Sequence, residues 1–375
     1  MEKTKIFAAY LPQYHETEDN SKFWGEGFTD WVGVKKAQAM FEGHYQPRVP
    51  LGSNYYNLLD VDVIRRQAKL AKDYGIDGFN IYHYWFKDGK QELEKPAEML
   101  LEDKSIDISF FFTWDNGAWK RTWGNVRGND WAPAFDRKEN IDKGEAILVP
   151  FDYGDEDQWT YHFNYLLQFF NDERYLKLDN KPVFMFIGTN DLDTLKAMAG
   201  CWDRLAKENG FSGMYFSTKK KNFFNKKIFD SVFNYEPETS AWGKRRGIEK
   251  RLSSVFKIKT KRDEPVKYQY PYDKVWNRII RNAQRNIDND IIGSFVRYDD
   301  TPRRGKEAMI VVGETSEKFQ KYFGILYRLC CKHNKPILLL TAWNEWGEGA
   351  YLEPDEKDKY AYLEAIKNVH NGEYN

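Results

Sequence analysis

Eight short apolar runs alternate with helical patterns along the chain, and this alternation restricts the fold more than any other feature of the sequence. Strands are predicted at residues 5–11, 76–81, 106–113, 183–187, 214–217, 231–234, 291–296 and 336–342. Helices are predicted at residues 60–74, 92–101, 159–170, 193–209, 316–331 and 357–369. Such alternation is typical of βαβ units, and eight strands predict an α/β fold of the (β/α)₈ TIM-barrel type.

The length of the chain agrees with one barrel that carries additions. Its 375 residues fall within the range of single decorated barrels, so one domain is expected over residues 1–375. The additions are long loops after the first and third strands and a basic insertion between the sixth and seventh strands, from Lys244 to Lys267. This insertion is predicted to be a solvated face, with contact to a lipid-linked glycan or an anionic membrane surface as the alternative.

Composition argues against several classes of protein. The 57 basic and 57 acidic residues balance, so nothing global points to nucleic acid as a partner. The three cysteines include an adjacent pair and give no disulfide framework, and no metal-ligand spacing is seen. No apolar run is long enough to span a membrane, and the first residues do not match a signal peptide. We therefore expect a soluble, cytoplasmic protein without a transmembrane segment, a metal or another cofactor.

The last predicted strand runs directly into a polar and aromatic segment. Residues 337–340 are continuously apolar, which is typical of a parallel strand covered on both faces. Asn344, Glu345 and Glu348 follow, close to Trp343 and Trp346. Two carboxyl groups three positions apart, beside indole rings, suit chemistry in which one acid is protonated and the other ionised. The alternative is a helix N-terminus with both glutamates in its first turn.

Polar and aromatic side chains also mark the ends of most other predicted strands and the long first loop. In a barrel the strand ends meet on one face, where binding sites are built. Aromatic faces stack on the C–H faces of sugar rings, and polar side chains bind pairs of hydroxyls. The predicted substrate-binding residues are Tyr10, His15, Trp24, Trp31, Tyr82, His83, Trp85, Trp114, Asn116, Glu236, Asp299, Asn344 and Trp346.

These residue types favour a carbohydrate as the partner and substrate. Cleavage of a glycosidic bond requires an acid pair, and Glu345 and Glu348 are the candidates. A structural alternative stays open for each lining residue, in which its side chain only satisfies polar groups of its own loop. For the pair Arg303 and Arg304, a role in holding the aspartates just before them is favoured over a clamp for an anionic group.

Five motifs give the chain a resemblance to a known family. They are AYLPQYH at 9–15, FWGEGFTDW at 23–31, FEGHYQPR at 41–48, GFNIYHYWF at 78–86 and WNEWGEG at 343–349. Together they resemble the WbsX family, which is related to glycoside hydrolase family 99, the endo-α-mannosidase and endo-α-mannanase family. The resemblance implies a (β/α)₈ barrel and a place among bacterial surface-polysaccharide proteins, which have often been labelled glycosyltransferases.

The resemblance also implies roles for the two glutamates. In the hydrolase family the acid pair lies in an Asn-Glu-Trp-His-Glu-Gly motif, which is similar to residues 344–349 here. By this match Glu348 resembles the general acid/base. Glu345 resembles the carboxylate that deprotonates the sugar 2-hydroxyl to give a 1,2-anhydro sugar. The sequence departs from the motif at Gly347, where the hydrolases have histidine, and this departure bears on the substrate.

Three hypotheses follow for the function. The favoured one is a retaining, endo-acting glycosidase on a bacterial surface polysaccharide or its precursor, with an α-mannoside-like sugar as the first candidate. The second is a glycosyltransferase or transglycosylase in O-antigen or capsular polysaccharide biosynthesis, against which the lack of a glycine-rich phosphate loop argues. The third is a glycan-binding barrel without catalysis, which the intact pair of Glu345 and Glu348 disfavours.

Overall fold

Eight parallel strands close into a barrel at the centre of the molecule. The computed structural model describes residues 3–120, 147–219, 227–242, 266 and 268–372. The barrel strands are β1 (Lys5–Tyr10), β2 (Gly78–Trp85), β3 (Ser109–Trp114), β4 (Lys181–Phe186), β5 (Tyr215–Thr218), β6 (Ser231–Phe233), β7 (Asp290–Phe295) and β8 (Ile337–Thr341). Each strand pairs with its neighbours in chain order, and β1 pairs with both β8 and β2, which closes the ring. The predicted (β/α)₈ fold is confirmed.

Helices surround the barrel and fill its loops. They are α1 (Glu18–Trp24), α2 (Trp31–Lys36), α3 (Val61–Asp73), α4 (Lys95–Glu102), α5 (Glu156–Phe170), α6 (Leu192–Glu208), α7 (Glu238–Ala241), α8 (Tyr272–Asn286), α9 (Thr301–Arg304), α10 (Ser316–Lys332) and α11 (Ala361–His370). The six predicted helices correspond to α3, α4, α5, α6, α10 and α11. The sequence analysis predicted no helix at α8, whose buried residues include Val275, Trp276 and Ile279.

Short elements complete the described part of the chain. Single-turn 3₁₀ helices lie at Leu51–Ser53, Lys87–Gly89, Gly305–Glu307 and Trp346–Glu348. Short strands pair outside the ring: Gln91–Glu92 with β2, Lys177–Leu178 with β4, Trp119–Lys120 with Ile147–Val149, and Tyr268–Pro271 with Met309–Val312. Except for Lys177–Leu178, which precedes β4, these elements lengthen the loops on the side of the barrel where the strands end.

Local sequence explains why strands and helices begin where they do. Ile337, Leu338, Leu339 and Leu340 of β8 are all buried, as expected for a parallel strand between the barrel interior and an outer helix layer. Helix α3 begins after Asp60, whose carboxylate accepts a hydrogen bond from a backbone N–H of the first turn. The apolar residues of α3 then recur at helical spacing and face the barrel.

Strand β2 extends further than the sequence analysis predicted. It continues to Trp85 rather than ending at Ile81, so Tyr82, His83 and Tyr84 belong to the strand and not to a loop at its tip. Successive side chains of a strand point to opposite faces. This alternation directs Tyr82 and Tyr84 to one side of the barrel wall and His83 and Trp85 to the other, which decides their roles below.

Two sequence predictions fall largely outside the described residues. The insertion from Lys244 to Lys267 lies almost wholly outside them, as does the central part of the loop after β3, with Trp123 and Trp131. The loop after β1 is described, and it contains α1 and α2 rather than only irregular backbone. Within the described ranges, no helix combines the length and the apolar character that crossing a bilayer requires.

Candidate active site

The segment after β8 forms a small hairpin at the mouth of the barrel. Asn344–Glu345 pairs antiparallel with Ala350–Tyr351, and the 3₁₀ turn Trp346–Glu348 connects them. Gly349 closes the turn with a left-handed φ of 56°, a conformation that glycine adopts without cost. Backbone contacts fix the hairpin, because the N–H of Asp299 donates to the carbonyl of Glu348 over 2.7 Å.

One guanidinium joins the two glutamates of this hairpin to a third carboxylate. Nη1 of Arg303, on α9, donates to Oε1 of Glu348 over 2.8 Å, and Nη2 lies 3.4 Å from Oε2 of Glu345. The same Nη2 lies 3.3 Å from both carboxylate oxygens of Asp30, at the start of α2. Residues from three separate segments therefore meet at one point above β8.

Burial and charge make Glu345 the natural holder of a proton. Its side chain is 5% exposed. Burial, together with the negative charges of Glu348 and Asp30, raises the pKa of Glu345 to about 8 against the opposing charge of Arg303. Because the pKa of Glu345 lies this far above the usual range of a carboxyl group, Glu345 is largely protonated at neutral pH. The arrangement thus separates the two glutamates chemically, as acid–base catalysis requires.

Tyrosines form the wall beside this cluster. The hydroxyls of Tyr82 on β2 and Tyr235 after β6 lie 2.7 Å apart. Burial and the charges of the two glutamates hold the pKa of both phenols well above the usual value. Burial and the charge of Glu348 do the same to the pKa of Tyr298, after β7. These phenols are consequently neutral, and they offer O–H donors near the carboxylates without adding charge.

Asn344 and Asp299, both predicted to bind substrate, are buried in structural contacts. The Asn344 side chain accepts a hydrogen bond from the N–H of Leu11 over 2.7 Å and donates to the carbonyl of Leu11 over 3.0 Å. The Asp299 carboxylate accepts hydrogen bonds from His44 and Gln46, at 2.9 Å and 2.7 Å. Its second oxygen accepts from the backbone and hydroxyl of Thr301.

Three further predicted residues lie on the outer side of the barrel wall. His83 and Trp85 face α5, where Nε2 of His83 lies 2.7 Å from Nε2 of His162 and Trp85 stacks on that imidazole at 4.0 Å. The indole of Trp114 donates to the carbonyl of Trp85. Burial lowers the pKa of His83 to about 3. The structure does not bring these side chains to the glutamate pair.

Tyr10, Trp31 and Trp346 belong to a buried network behind the hairpin. The indole of Trp346 donates to Glu353 over 2.7 Å, and this carboxyl also accepts from Gln67, which in turn accepts from the hydroxyl of Tyr10. The indole of Trp31 donates to a backbone carbonyl, and its ring packs on that of Trp346 at 5.6 Å. This network supports the hairpin from below.

The remaining predicted residues are distributed around the loops. Asn116 bonds the backbone of Gly188 through both ends of its amide. The Glu236 carboxylate accepts from the backbone and hydroxyl of Ser240 in α7. Trp24 packs on Phe28 at 5.8 Å. His15 is buried, and burial lowers its pKa to about 4. None of these contacts joins the cluster around Arg303.

The structure adds site residues that the sequence analysis did not assign. Asp30 stands in the FWGEGFTDW motif, where only its aromatic neighbours were singled out. Arg303 was considered with Arg304 as a partner of the adjacent aspartates. Arg304 does bond Asp300, over 3.0 Å, whereas Arg303 bridges the glutamates. Tyr235 stands directly beside Glu236 in the sequence, and this proximity was the available signal.

Comparison with known proteins places the chain in a family. A family model described as glycosyltransferase WbsX matches residues 6–366. The chain belongs to the WbsX family. Two relatives, both described as uncharacterized protein WxcX, from two strains of Xanthomonas campestris pv. campestris, are 28% identical to this WbsX chain over 97% of its length. The chain spans about half the length of these relatives, 49%.

Solved structures share the fold of this WbsX protein. The GH99 endo-alpha-mannosidase from Bacteroides thetaiotaomicron superposes with a TM-score of 0.55 and 12% identity, covering 98% of this chain and 96% of that one. A structure described as a glycoside hydrolase-like protein gives a TM-score of 0.57 and 13% identity, covering 99% and 94%. At this identity the likeness concerns the fold, and the fold hosts many activities.

Proposed function

We propose that the protein is a glycoside hydrolase that acts on a bacterial surface polysaccharide or its precursor. The observation that carries the proposal is the cluster in which Arg303 joins Glu345, Glu348 and Asp30 at the carboxyl ends of the strands. Sites of barrel enzymes are built at these ends. Two carboxyl groups in unequal environments are what protonation of a leaving oxygen and activation of a second group demand.

The proposed chemistry uses the two glutamates in turn. Glu345 removes the proton from the 2-hydroxyl of the sugar, whose oxygen attacks the anomeric carbon as Glu348 protonates the departing glycosidic oxygen. A 1,2-anhydro sugar and a free chain end result. Glu348 then takes a proton from water, which opens the anhydro ring at the anomeric carbon, and the 2-oxygen recovers a proton from Glu345. Two inversions at that carbon retain its configuration.

The accessible side of the cluster suits a sugar. Glu348 is 19% exposed and Arg303 12% exposed, whereas Glu345 is 5% exposed. The acid that meets the leaving group is thus the more accessible of the two, and the base lies deeper. The neutral phenols of Tyr82 and Tyr235 supply hydrogen-bond donors and ring faces beside it. An α-mannoside is the first substrate to test, given the family resemblance and the shared fold.

The test is release of oligosaccharide from bacterial polysaccharides by the purified protein. Wild type is expected to release oligosaccharide from a mannose-containing glycan, and Glu348→Gln is expected to lower the rate by about 10²-fold or more. Arg304→Gln is the matched control, because it lies beside Arg303 and pairs with Asp300. If wild type and Glu348→Gln are equally inert on a broad panel of glycans, the proposal fails.

Sugar transfer is the second candidate, because the family description names a glycosyltransferase. Many transferases bind the metal of a nucleotide sugar through Asp-x-Asp. The sequence contains four such triplets, beginning at Asp60, Asp155, Asp191 and Asp288. The first three begin helices, each with its first aspartate as the cap. The fourth lies at the amino end of β7, opposite the carboxyl ends.

Calorimetry separates transfer from hydrolysis. Nucleoside diphosphate sugars are titrated into the protein with Mn²⁺ and without it. The hydrolase proposal expects no binding in either case, since none of the four triplets lies in the Arg303 cluster. Saturable, metal-dependent binding would favour the transferase.

A further inference from the structure

Among the described residues, the charges around Arg303 do not balance if every acid is ionised. One guanidinium faces three carboxylates, those of Asp30, Glu345 and Glu348, all within 3.4 Å of its nitrogens. Placing like charges this close is costly where burial limits solvent screening. The cluster therefore binds a proton at neutral pH, and the position of that proton decides which glutamate can act as an acid.

The geometry of Arg303 selects the glutamate that stays ionised. Its shortest bond, 2.8 Å from Nη1, goes to Glu348, and charge-assisted bonds of this length favour the ionised acceptor. Glu345 instead lies 3.4 Å from Nη2 of Arg303, and this nitrogen also lies 3.3 Å from both carboxylate oxygens of Asp30. Glu345 is also the more deeply buried glutamate. The proton of the free protein consequently belongs on Glu345.

The other titratable groups that the structure describes around the cluster do not change this assignment. The neighbouring phenols are neutral, since burial and the acid charges raise their pKa values, and they come from the loop after β1, from β2, and from the segments after β6 and β7. Burial raises the pKa of Asp300 to about 7, against the opposing charge of Arg304, with which it pairs. The surrounding groups are Tyr14, Tyr82, Tyr84, Tyr235, Tyr298, Asp300 and Arg304.

We propose that Arg303 is a positioning residue that keeps the proton on Glu345 in the free protein, and that the Arg303 guanidinium moves from Glu348 to Asp30 when substrate binds. We call the free state the resting arrangement. The inference rests on the proposed hydrolase function, because it concerns the acid and base of that reaction. In the resting arrangement the two glutamates hold the proton in the reverse of the order that the reaction needs.

The step out of the resting arrangement is a proton transfer without a co-reactant. The guanidinium leaves Glu348 and pairs with Asp30, which it already contacts through Nη2. The proton of the Glu345 carboxyl then moves to the Glu348 carboxylate. Glu345 becomes the ionised base and Glu348 the protonated acid. No proton enters or leaves the cluster, so the step is balanced within the protein.

Gly347 provides the space that Arg303 occupies. A Cβ atom added at this position would lie 2.7 Å from a carboxylate oxygen of Asp30 and 2.8 Å from Nε of Arg303. Gly347 has no left-handed φ, so alanine fits the backbone there. Gly347→Ala is therefore a variant that displaces the guanidinium while every charge of the cluster is kept.

The first test locates the proton without any substrate. Protein labelled with ¹³C at the glutamate carboxyl carbons is studied by NMR at pH 7, and Glu345→Gln and Glu348→Gln assign the two signals. Wild type is expected to show a protonated Glu345 and an ionised Glu348. In Arg303→Gln and Gly347→Ala the Glu348 signal is expected to shift toward the protonated position. Arg303→Lys, which keeps the charge, and Arg304→Gln are expected to resemble wild type.

Two outcomes of this experiment would overturn the inference. One is an ionised Glu345 in the wild-type protein. The other is a Glu348 signal that moves no more in Arg303→Gln than in Arg304→Gln. Because no sugar is present, either result stands whether or not the protein cleaves glycans, so failure of this inference is distinct from failure of the hydrolase proposal.

The second test concerns the transfer to Asp30 and uses turnover. In Asp30→Asn the guanidinium loses its anionic acceptor, so kcat is expected to fall at least about tenfold with a smaller change in KM, since the substrate contacts remain. Arg303→Gln is expected to shift the pH profile of kcat/KM, whereas Arg304→Gln keeps the profile of wild type. An unchanged kcat in Asp30→Asn would refute the transfer.

Discussion

The buried pair of His83 and His162 makes the protein sensitive to acid. Their Nε2 atoms lie 2.7 Å apart, so one ring donates and the other accepts, which requires at least the accepting ring to be neutral. Burial lowers the pKa of His83 to about 3, and burial together with His83 holds the pKa of His162 well below its usual value. In the unfolded chain both titrate near 6.5.

The sign and size of the effect follow from proton linkage. At pH values below about 6 but above the lowered pKa values of the folded pair, the unfolded chain binds up to two more protons than the folded pair. The stability that the neutral pair contributes is therefore full above about pH 6.5 and is lost as the pH falls. Each proton corresponds to about 1.4 kcal/mol per pH unit, so the pair contributes about 2.7 kcal/mol per pH unit in that window.

His162→Gln tests this reasoning. The amide keeps a hydrogen-bonding partner for His83 and removes one titrating group. In this variant, urea unfolding between pH 4 and pH 6 is expected to show a weaker pH dependence than in wild type. For each pH unit of acidification, the free energy of unfolding is expected to fall by about 1.4 kcal/mol less than in wild type. The control is His333→Gln, at the end of α10, which removes a histidine without touching the buried pair. Equal slopes for wild type and His162→Gln would refute the account.

Three further predictions concern side chains near the hairpin. Asn344→Ala leaves the backbone of Leu11 without its partners and is expected to lower the free energy of unfolding by about 2–4 kcal/mol in urea; unchanged stability with lost sugar binding would instead make Asn344 a ligand. Asp299→Asn removes the anion that His44, Gln46 and Arg48 face and is expected to cost about 3–5 kcal/mol, which thermal unfolding measures; a cost below about 1 kcal/mol contradicts this role. Tyr82→Phe deletes a donor near the glutamates and is expected to lower kcat/KM for glycan cleavage by about tenfold or more while stability stays within about 1 kcal/mol; unchanged kinetics would remove Tyr82 from the site.

The barrel could be predicted because its information is local. Each of the eight predicted runs overlaps a strand of the ring, since an apolar run between turn residues predicts a buried parallel strand without knowledge of its partners. Helix α8, which directly follows the basic insertion, was not predicted. Its polar and apolar residues alternate at helical spacing, so the signal was present.

Side-chain direction could not be predicted from the same information. Tyr82, His83, Tyr84 and Trp85 are consecutive aromatic residues that all suit a sugar site. Which two of them face the glutamates depends on where β2 ends and on its register with β1 and β3. A boundary error of four residues made the strand look like a loop, and a loop imposes no alternation.

The central cluster depended on contacts between residues distant in the chain. Arg303 contacts Asp30 across 273 positions and Glu345 across 42. From the sequence, the adjacent aspartates were the natural partners of both arginines, and this holds for Arg304 only. Asn344 looked equally suited to a sugar, yet it bonds the backbone of Leu11. Residue type indicated the candidate chemistry of the region, but geometry decided which residues lie together in the cluster.

The most direct measurement of the central claim is a crystal structure of Glu348→Gln with an oligosaccharide substrate bound. The account predicts a sugar at the carboxyl ends of the strands, with its glycosidic oxygen about 2.6–3.2 Å from the residue at position 348 and its 2-hydroxyl at the same distance from Glu345. Arg303 is expected on Asp30. A sugar bound away from both glutamates, with Arg303 still bridging positions 345 and 348, would contradict it.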